Sequence, residues 1–355
     1  MEQAAFAFLT NGKPVQAEVF GHGHINHTLK VVTDTGDIYI LQKINKYVFK
    51  DPVKLMENAA AVTEFLRKKV ERPENALEFI PTADGSFCYE DPQGEFWRMY
   101  RFVGGFCLEA PESPEDFYQS AIAFGQFQYQ LADFPAETLT ETIPEFHNTI
   151  DRYRIFRGVL ERDPMGRAAE VRQEIQFLLD REDRAGTLQR MRESGELPLR
   201  VTHNDTKLNN VLLDENTRTP LCVLDLDTVM PGLAAYDFGD SIRFGAATAA
   251  EDEKDLSKMT VDLDLFRIYT EGFVKACPTL TPMELKMLPM GAWTMTLEVG
   301  LRFLTDYLDG DHYFKTAYAG HNLDRSRTQL KLVWDMEQKW AKMEEIAAEA
   351  SSANR

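Results

Sequence analysis

Hydrophobic and polar positions change their rhythm near residue 104. Before it, apolar residues alternate with polar ones over 15–20, 28–33 and 37–43, the period of half-buried strands. Asp34-Thr-Gly-Asp37 supplies a tight turn between the second and third runs, so 15–43 reads as a three-strand meander. Asp51-Pro52 opens a helix, because proline fits a first helical turn. Leu55, Ala59, Val62, Phe65 and Leu66 then form its apolar stripe. Strands follow over 87–89 and 95–102 around the turn Asp91-Pro-Gln-Gly94. The pair Gly104-Gly105 reads as a flexible connector. The fold class expected is α+β: an antiparallel β-rich part over 1–103 and a mainly helical part over 104–355.

Helical periodicity dominates the second part. Ser113-Pro-Glu-Asp116 is a helix start, and its stripe runs to about Leu131. Further helical patterns cover 145–161, 167–194, 255–276, 282–308 and 323–348, with a polar tail fraying from 344. Two short β-branched runs, 199–203 and 221–225, interrupt them. They read as strands flanking the densest polar cluster of the chain.

That cluster is His203-Asn-Asp205-Thr-Lys207-Leu-Asn-Asn210, followed by Leu224-Asp225-Leu-Asp227. Phosphoryl transfer needs these functions. An acceptor hydroxyl must be held in line with the phosphate, and metal must neutralise charge on the phosphate oxygens. Asp205 is the expected catalytic residue, orienting the hydroxyl and accepting its proton. The Asn210 amide oxygen and the Asp225 carboxylate are hard ligands suited to Mg²⁺. Asp225 is favoured over Asp227 because it ends the strand; strand alternation puts both on one face. His203 reads as a brace rather than a base. The H-x-D-x-x-x-x-N spacing is that of protein-kinase catalytic loops.

ATP is the expected phosphoryl donor. Gly21 and Gly23, between two strands, allow backbone to approach its phosphates. Lys43 is placed as the phosphate-contacting lysine, with Lys46 as rival. Glu57 is placed as its partner on the next helix, with Glu64 as rival.

A net charge of −18 disfavours nucleic acid and anionic membrane as partners. No apolar run approaches a membrane span, and the N-terminal residues do not read as a signal peptide, so a cytoplasmic protein is expected. Four scattered cysteines without CxxC pairs read as reduced thiols. A monomer or weak homodimer is expected.

The 203–210 segment with Asp225 resembles the aminoglycoside-phosphotransferase and choline-kinase-like superfamily. Asp237, in Tyr236-Asp-Phe-Gly-Asp240, resembles that family's downstream acidic residue, with a structural role. Gly21-His-Gly-His-Ile-Asn26, Tyr39-Ile-Leu-Gln-Lys-Ile-Asn45, Leu226-Asp-Thr-Val-Met-Pro-Gly232 and Gly300-Leu-Arg-Phe-Leu-Thr-Asp306 extend the resemblance, from about residue 15 to about 335, to bacterial N-acetylhexosamine 1-kinases. The resemblance implies a bilobal protein-kinase-like fold. It also implies ATP- and Mg²⁺-dependent phosphorylation of the anomeric hydroxyl of an N-acetylhexosamine. His24, Phe244, Arg302 and Tyr313 become sugar-pocket residues. The glycine-rich segment departs from the protein-kinase pattern in having Asn26 at the third glycine. Three alternatives stay open: a kinase of another small alcohol (an amino sugar, choline, homoserine or an aminoglycoside), a non-catalytic kinase-like binding protein, and a metal hydrolase built on His203, Asp205, Asp225 and Asp227.

Overall fold

The structure, a computed structural model, describes residues 2–20 and 27–353. In chain order the elements are β1 (Pro14–Val19), β2 (His27–Thr33), β3 (Ile38–Ile44), α1 (Pro52–Arg67), β4 (Tyr89–Glu90), β5 (Phe96–Arg101), α2 (Pro114–Gln130), α3 (Thr149–Arg162), α4 (Arg172–Leu179), α5 (Glu182–Ala185), α6 (Thr187–Glu193), β6 (Arg200–Thr202), β7 (Val211–Leu213), β8 (Pro220–Val223), β9 (Met230–Gly232), α7 (Ala234–Gly245), α8 (Leu263–Ala276), α9 (Pro282–Asp309), α10 (His321–Gln338) and α11 (Trp340–Ala353). They form two compact units. One comprises Met1–Cys107, Gln130–Pro144 and Asn210–Pro231; the other comprises Leu108–Tyr129, Glu145–Asn209 and Gly232–Arg355. The single division expected at 103/104 is therefore replaced by several crossings of the chain.

In the first unit an antiparallel sheet has the strand order β1-β2-β3-β5-β4. The register pairs Leu29 with Leu41 and Leu41 with Met99. These residues join Val31, Tyr39 and Trp97 on one face, closed by Ala4, Ala5 and Phe8. Asp51 caps α1 by accepting the Lys54 N–H at 3.0 Å. Asn58 on α1 then ties down two distant segments. Its amide donates to the carbonyls of Thr140 (2.7 Å) and Val229 (3.1 Å), and its oxygen accepts the Thr140 N–H (3.0 Å). That is why 130–144 and 210–231 fold with the N-terminal sheet. Phe106 and Leu213 also exchange both backbone hydrogen bonds. Gly105, at φ +152°, approaches so closely that a Cβ would lie 2.6 Å from the Leu213 carbonyl oxygen. Gly105 is thus a fixed close contact, where the composition of the pair suggested a flexible connector.

In the second unit α9 is the central element, with α3, α7, α10 and α11 packed on it. Thr281 and Glu284 form a capping box at its start, and Gly310 closes it in the left-handed region. α7 and α9 meet at glycines: a Cβ on Gly239 would lie 2.3 Å from the Gly291 carbonyl oxygen.

Several expected boundaries change. The pattern over 167–194 resolves into α4, α5 and α6. That over 323–348 breaks at Lys339 into α10 and α11, where the Lys339 ammonium leaves the helix for the Val261 carbonyl (2.8 Å). Residues 344–353 are helical, with Ile346, Ala347 and Ala350 buried, rather than a frayed tail. α8 starts at Leu263, where Asp262 caps it, eight residues later than the periodicity predicts. α7 went unread because its sequence is rich in Asp and Gly. Among the described residues no helix is long and apolar enough to cross a membrane. Burial pushes the Cys88 and Cys222 thiols up to about 12, which keeps them protonated and unreactive.

Candidate active site

The loop after β6 is held from α7 by two buried carboxylates one helical turn apart. Asp237 accepts the N–H of His203 (2.9 Å), the N–H of Asn204 (2.8 Å) and the amide of Gln128 (2.6 Å). Asp240 accepts the Thr206 N–H (3.0 Å). The Thr206 hydroxyl donates to the Asp237 carbonyl (2.7 Å), and Ser241 returns a bond to the Thr206 carbonyl (2.9 Å). Asn204 is thereby held at φ +64°, a conformation the surrounding bonds must support. His203 is buried between the rings of Phe124 and Phe127, and its Nδ1 accepts the Asp205 N–H at 3.3 Å. It braces the loop.

Asp205, flanked by these fixed positions, pairs with Lys207 at 2.8 Å. Burial pulls the Lys207 ammonium down, but Asp205 and Asp240 outweigh it and raise the pKa above its usual value. Burial likewise pushes the Asp240 carboxyl up; Arg243 and Lys207 reverse that and hold it below the usual range. For Asp237 burial prevails over its donors, and the net shift is upward.

In the other unit, β7 and β8 form a short antiparallel pair, and the Leu224 N–H donates to the Asn210 carbonyl at 2.8 Å. That bond sets Asn210 beside the residue preceding Asp225. Asp225 itself lies beyond the strand, at φ +55°, and Leu226–Thr228 continue as a 3₁₀ turn. The alternation expected to put Asp225 and Asp227 on one face does not apply, since neither is in a strand. Asp227 is instead ion-paired with Arg98 of β5. Arg98 Nε donates to the Gln42 oxygen (3.0 Å), and the Gln42 amide donates to Thr28 (3.1 Å). A polar rung thus crosses β2, β3 and β5 and ends on the Asp225–Asp227 turn. Burial lowers the pKa of Arg98, but Asp227 and Asp225 raise it further, so the guanidinium stays charged.

Arg98 is 2% exposed. Removing it strands the Asp227 carboxylate in the interior, which typically costs about 3–5 kcal/mol. Arg98→Leu is expected to lose stability on that scale in chemical denaturation, and Arg98→Leu/Asp227→Leu to recover much of it. A loss under about 1 kcal/mol in the single variant, against that expectation, would show that the pair is not a structural support.

The sequence pattern of the phosphotransferase enzyme family (APH) matches residues 16–260 of this chain. The chain belongs to that family. Solved structures are similar over nearly its whole length. One is an aminoglycoside phosphotransferase from Alicyclobacillus acidocaldarius (12% identity, 99% of this chain and 97% of that one, TM-score 0.59). Another is the amicoumacin kinase hAmiN, in complex with AMP-PNP, Ca²⁺ and Ami (12% identity, 94% and 91%, TM-score 0.58). A third is a Plasmodium vivax ethanolamine kinase (14% identity, 88% and 82%, TM-score 0.55). The shared fold is protein-kinase-like, with an antiparallel sheet in the N-terminal part and helices in the C-terminal part.

Against this family's layout, the remaining expected residues fare differently. Gly21, Gly23 and His24 lie outside the described residues. Lys43 pairs across the sheet with Trp97, so the pleat turns it to the face opposite Gln42 and Arg98. The face that meets the Asp225–Asp227 turn therefore carries Gln42, Arg98 and, one rung away, Lys30. Glu57 is exposed and pairs with Lys54 on its own helix (3.7 Å), not with Lys43. The expected Lys43–Glu57 pair is not formed. A one-residue shift in β3 was the signal to follow: Ile40 and Gln42, not Leu41 and Lys43, alternate onto that face.

In the helical unit Arg302 and Tyr313 come together, with Nη2 3.3 Å from the phenol oxygen. The guanidinium also stands over the Phe146 ring at 5.2 Å. Asp306, one turn on from Arg302, accepts the backbone N–H groups of His312, Tyr313 and Phe314 and fixes that loop. Phe244 sits elsewhere in the same unit, lining a chamber of about 720 Å³ beside Arg243.

Proposed function

We propose that this phosphotransferase is an ATP- and Mg²⁺-dependent small-molecule kinase whose acceptor is the anomeric hydroxyl of an N-acetylhexosamine. The observation that carries the kinase reading is the fixed loop around Asp205, whose flanking N–H groups at 203, 204 and 206 are bound to two buried carboxylates. Such fixing suits a reaction in which positioning supplies most of the acceleration.

Asp205 orients the acceptor hydroxyl and takes its proton. Lys207 is the cation at hand to counter charge near Asp205. Asn210 and Asp225 present an amide and a carboxylate oxygen from adjacent backbone positions, a donor set that fits Mg²⁺ completed by phosphate and water oxygens. When bound there, Mg²⁺ would draw charge from the nucleotide's phosphates. Asp227, held by Arg98, supports the turn. Lys30, on the same face of the sheet as Gln42 and Arg98, takes over the phosphate contact expected of Lys43. Phe244, Arg302 and Tyr313 are assigned to the acceptor, and the bacterial N-acetylhexosamine kinase phrases of the sequence support a sugar.

ADP release with ATP and Mg²⁺ over a panel of free sugars, amino alcohols and aminoglycosides tests the reading, with phosphorus NMR locating the phosphate. Release dependent on N-acetylhexosamine, with product at C1, is expected. Release with another alcohol alone would keep the kinase and discard the sugar. ATP binding without release to any acceptor would favour a binding protein.

A further inference from the structure

The chamber beside Phe244 holds a polar group that the protein itself leaves unanswered. Gln329, on α10, lines it, is 2% exposed, and its side-chain oxygen is buried without a hydrogen-bond partner. A buried amide in that state costs free energy unless a ligand or water answers it. Its carboxamide has both donors and acceptors to offer.

Charge at the chamber floor is already settled. Arg243 is held by Asp240 through Nε (3.1 Å) and Nη2 (2.9 Å), and by Glu251 (2.9 Å). Glu251 in turn lies 3.7 Å from Arg325. Asp262 is occupied as the cap of α8, and the other carboxylates of the lining, Glu112 and Asp264, stand at exposed positions. What the interior offers a ligand is therefore a neutral amide and the flat face of Phe244. The volume, about 720 Å³, lies in the range of small-molecule sites. The wall is also linked to the catalytic loop: Arg243 bonds Asp240, and Asp240 bonds the N–H of Thr206, the residue after Asp205.

We propose that Gln329 is a specificity-determining residue of the acceptor site, pairing its amide with the acetamido group of an N-acetylated sugar. The inference rests on the kinase reading above and adds to it the residue that tells an N-acetylated sugar from its free-amine counterpart. An acetamide presents one N–H and one C=O, and a glutamine amide can meet both. An ammonium offers only donors and would leave the Gln329 N–H groups unmet.

Gln329→Met keeps the side-chain length and removes both hydrogen-bonding functions. The expected result is a roughly ten- to hundredfold rise in the KM for N-acetylglucosamine. The KM for ATP should stay unchanged, and the preference for N-acetylglucosamine over glucosamine should shrink by the same factor. Melting curves of Gln329→Met and of a second variant, Gln329→Glu, establish that the proteins are folded. Unchanged KM and unchanged preference in a folded variant would overturn the assignment while leaving the kinase reading intact. A wild-type enzyme inert toward every N-acetylhexosamine would remove the parent reading and this one with it. An experimental structure of the wild type with N-acetylglucosamine needs no variant: an acetamide bonded to Gln329 supports the proposal, and one bound elsewhere refutes it.

Discussion

Asp205→Asn should lower turnover by roughly 10³-fold or more, the scale of losing a positioned base together with its orienting hydrogen bond. The substitution keeps volume and shape, so the loop should remain in place. Its anchors are Asp237 and Asp240, not the Asp205 carboxylate. Stability should change little, because the Asp205 side chain is 28% exposed and that of Lys207, with which it pairs, is 37% exposed. The KM for ATP should stay near that of the wild type. The decisive combination is a collapsed kcat with an unchanged melting temperature. Turnover within tenfold of the wild type would move the catalytic role away from Asp205.

Asp225→Asn is the second large effect. Asparagine suits this position better than alanine as a probe, because residue 225 sits at φ +55°, ψ +63°. Asn tolerates the left-handed region, whereas Ala there would add about 1–2 kcal/mol of backbone cost. With backbone preserved, the change removes one negative charge from the proposed metal ligands. Activity should fall by about 100-fold or more at ordinary Mg²⁺, with partial recovery as Mg²⁺ is raised, the range typical when a charge-stabilising group is lost. A wild-type Mg²⁺ dependence in this variant, with the dependence displaced in Asp227→Asn, would transfer the ligand role to Asp227. Arg98 makes that outcome unexpected, since its guanidinium already holds the Asp227 carboxylate.

Much of the architecture was legible from local patterning. The three-strand meander, α1 with its Asp51 cap, the helix start at 113 and the long α9 all follow from periodicity and capping residues. Each involves signals a few residues apart. The candidate segment stood out for another reason: Asp205, Asn210 and Asp225 offer the functional groups that phosphoryl transfer needs.

Misreadings cluster where a residue's role depends on distant partners. Lys43 looked right from its place near the end of a strand, but which face it takes depends on pairing with Trp97, more than fifty residues away. Asp225 stands apart from Asp227 not by ending a strand, as its sequence position suggested, but by its left-handed backbone. α7 went unread because Asp and Gly are weak helix formers, yet its aspartates are anchors. Their partners, the backbone N–H groups of the 203–206 loop, lie thirty or more residues earlier.

The amino-acid order alone thus determined most kinds of element, the family and the candidate residues for the chemistry, since these depend on short-range sterics, periodicity and functional-group identity. Tertiary structure decided which side of the sheet is polar, that Asp227 belongs to Arg98, that Gly105 is a close contact, and that Gln329 is buried with its oxygen unmet. Those outcomes depend on burial and on pairing between segments far apart in the chain, where the free energy of a charge or an amide is set by which neighbours replace water.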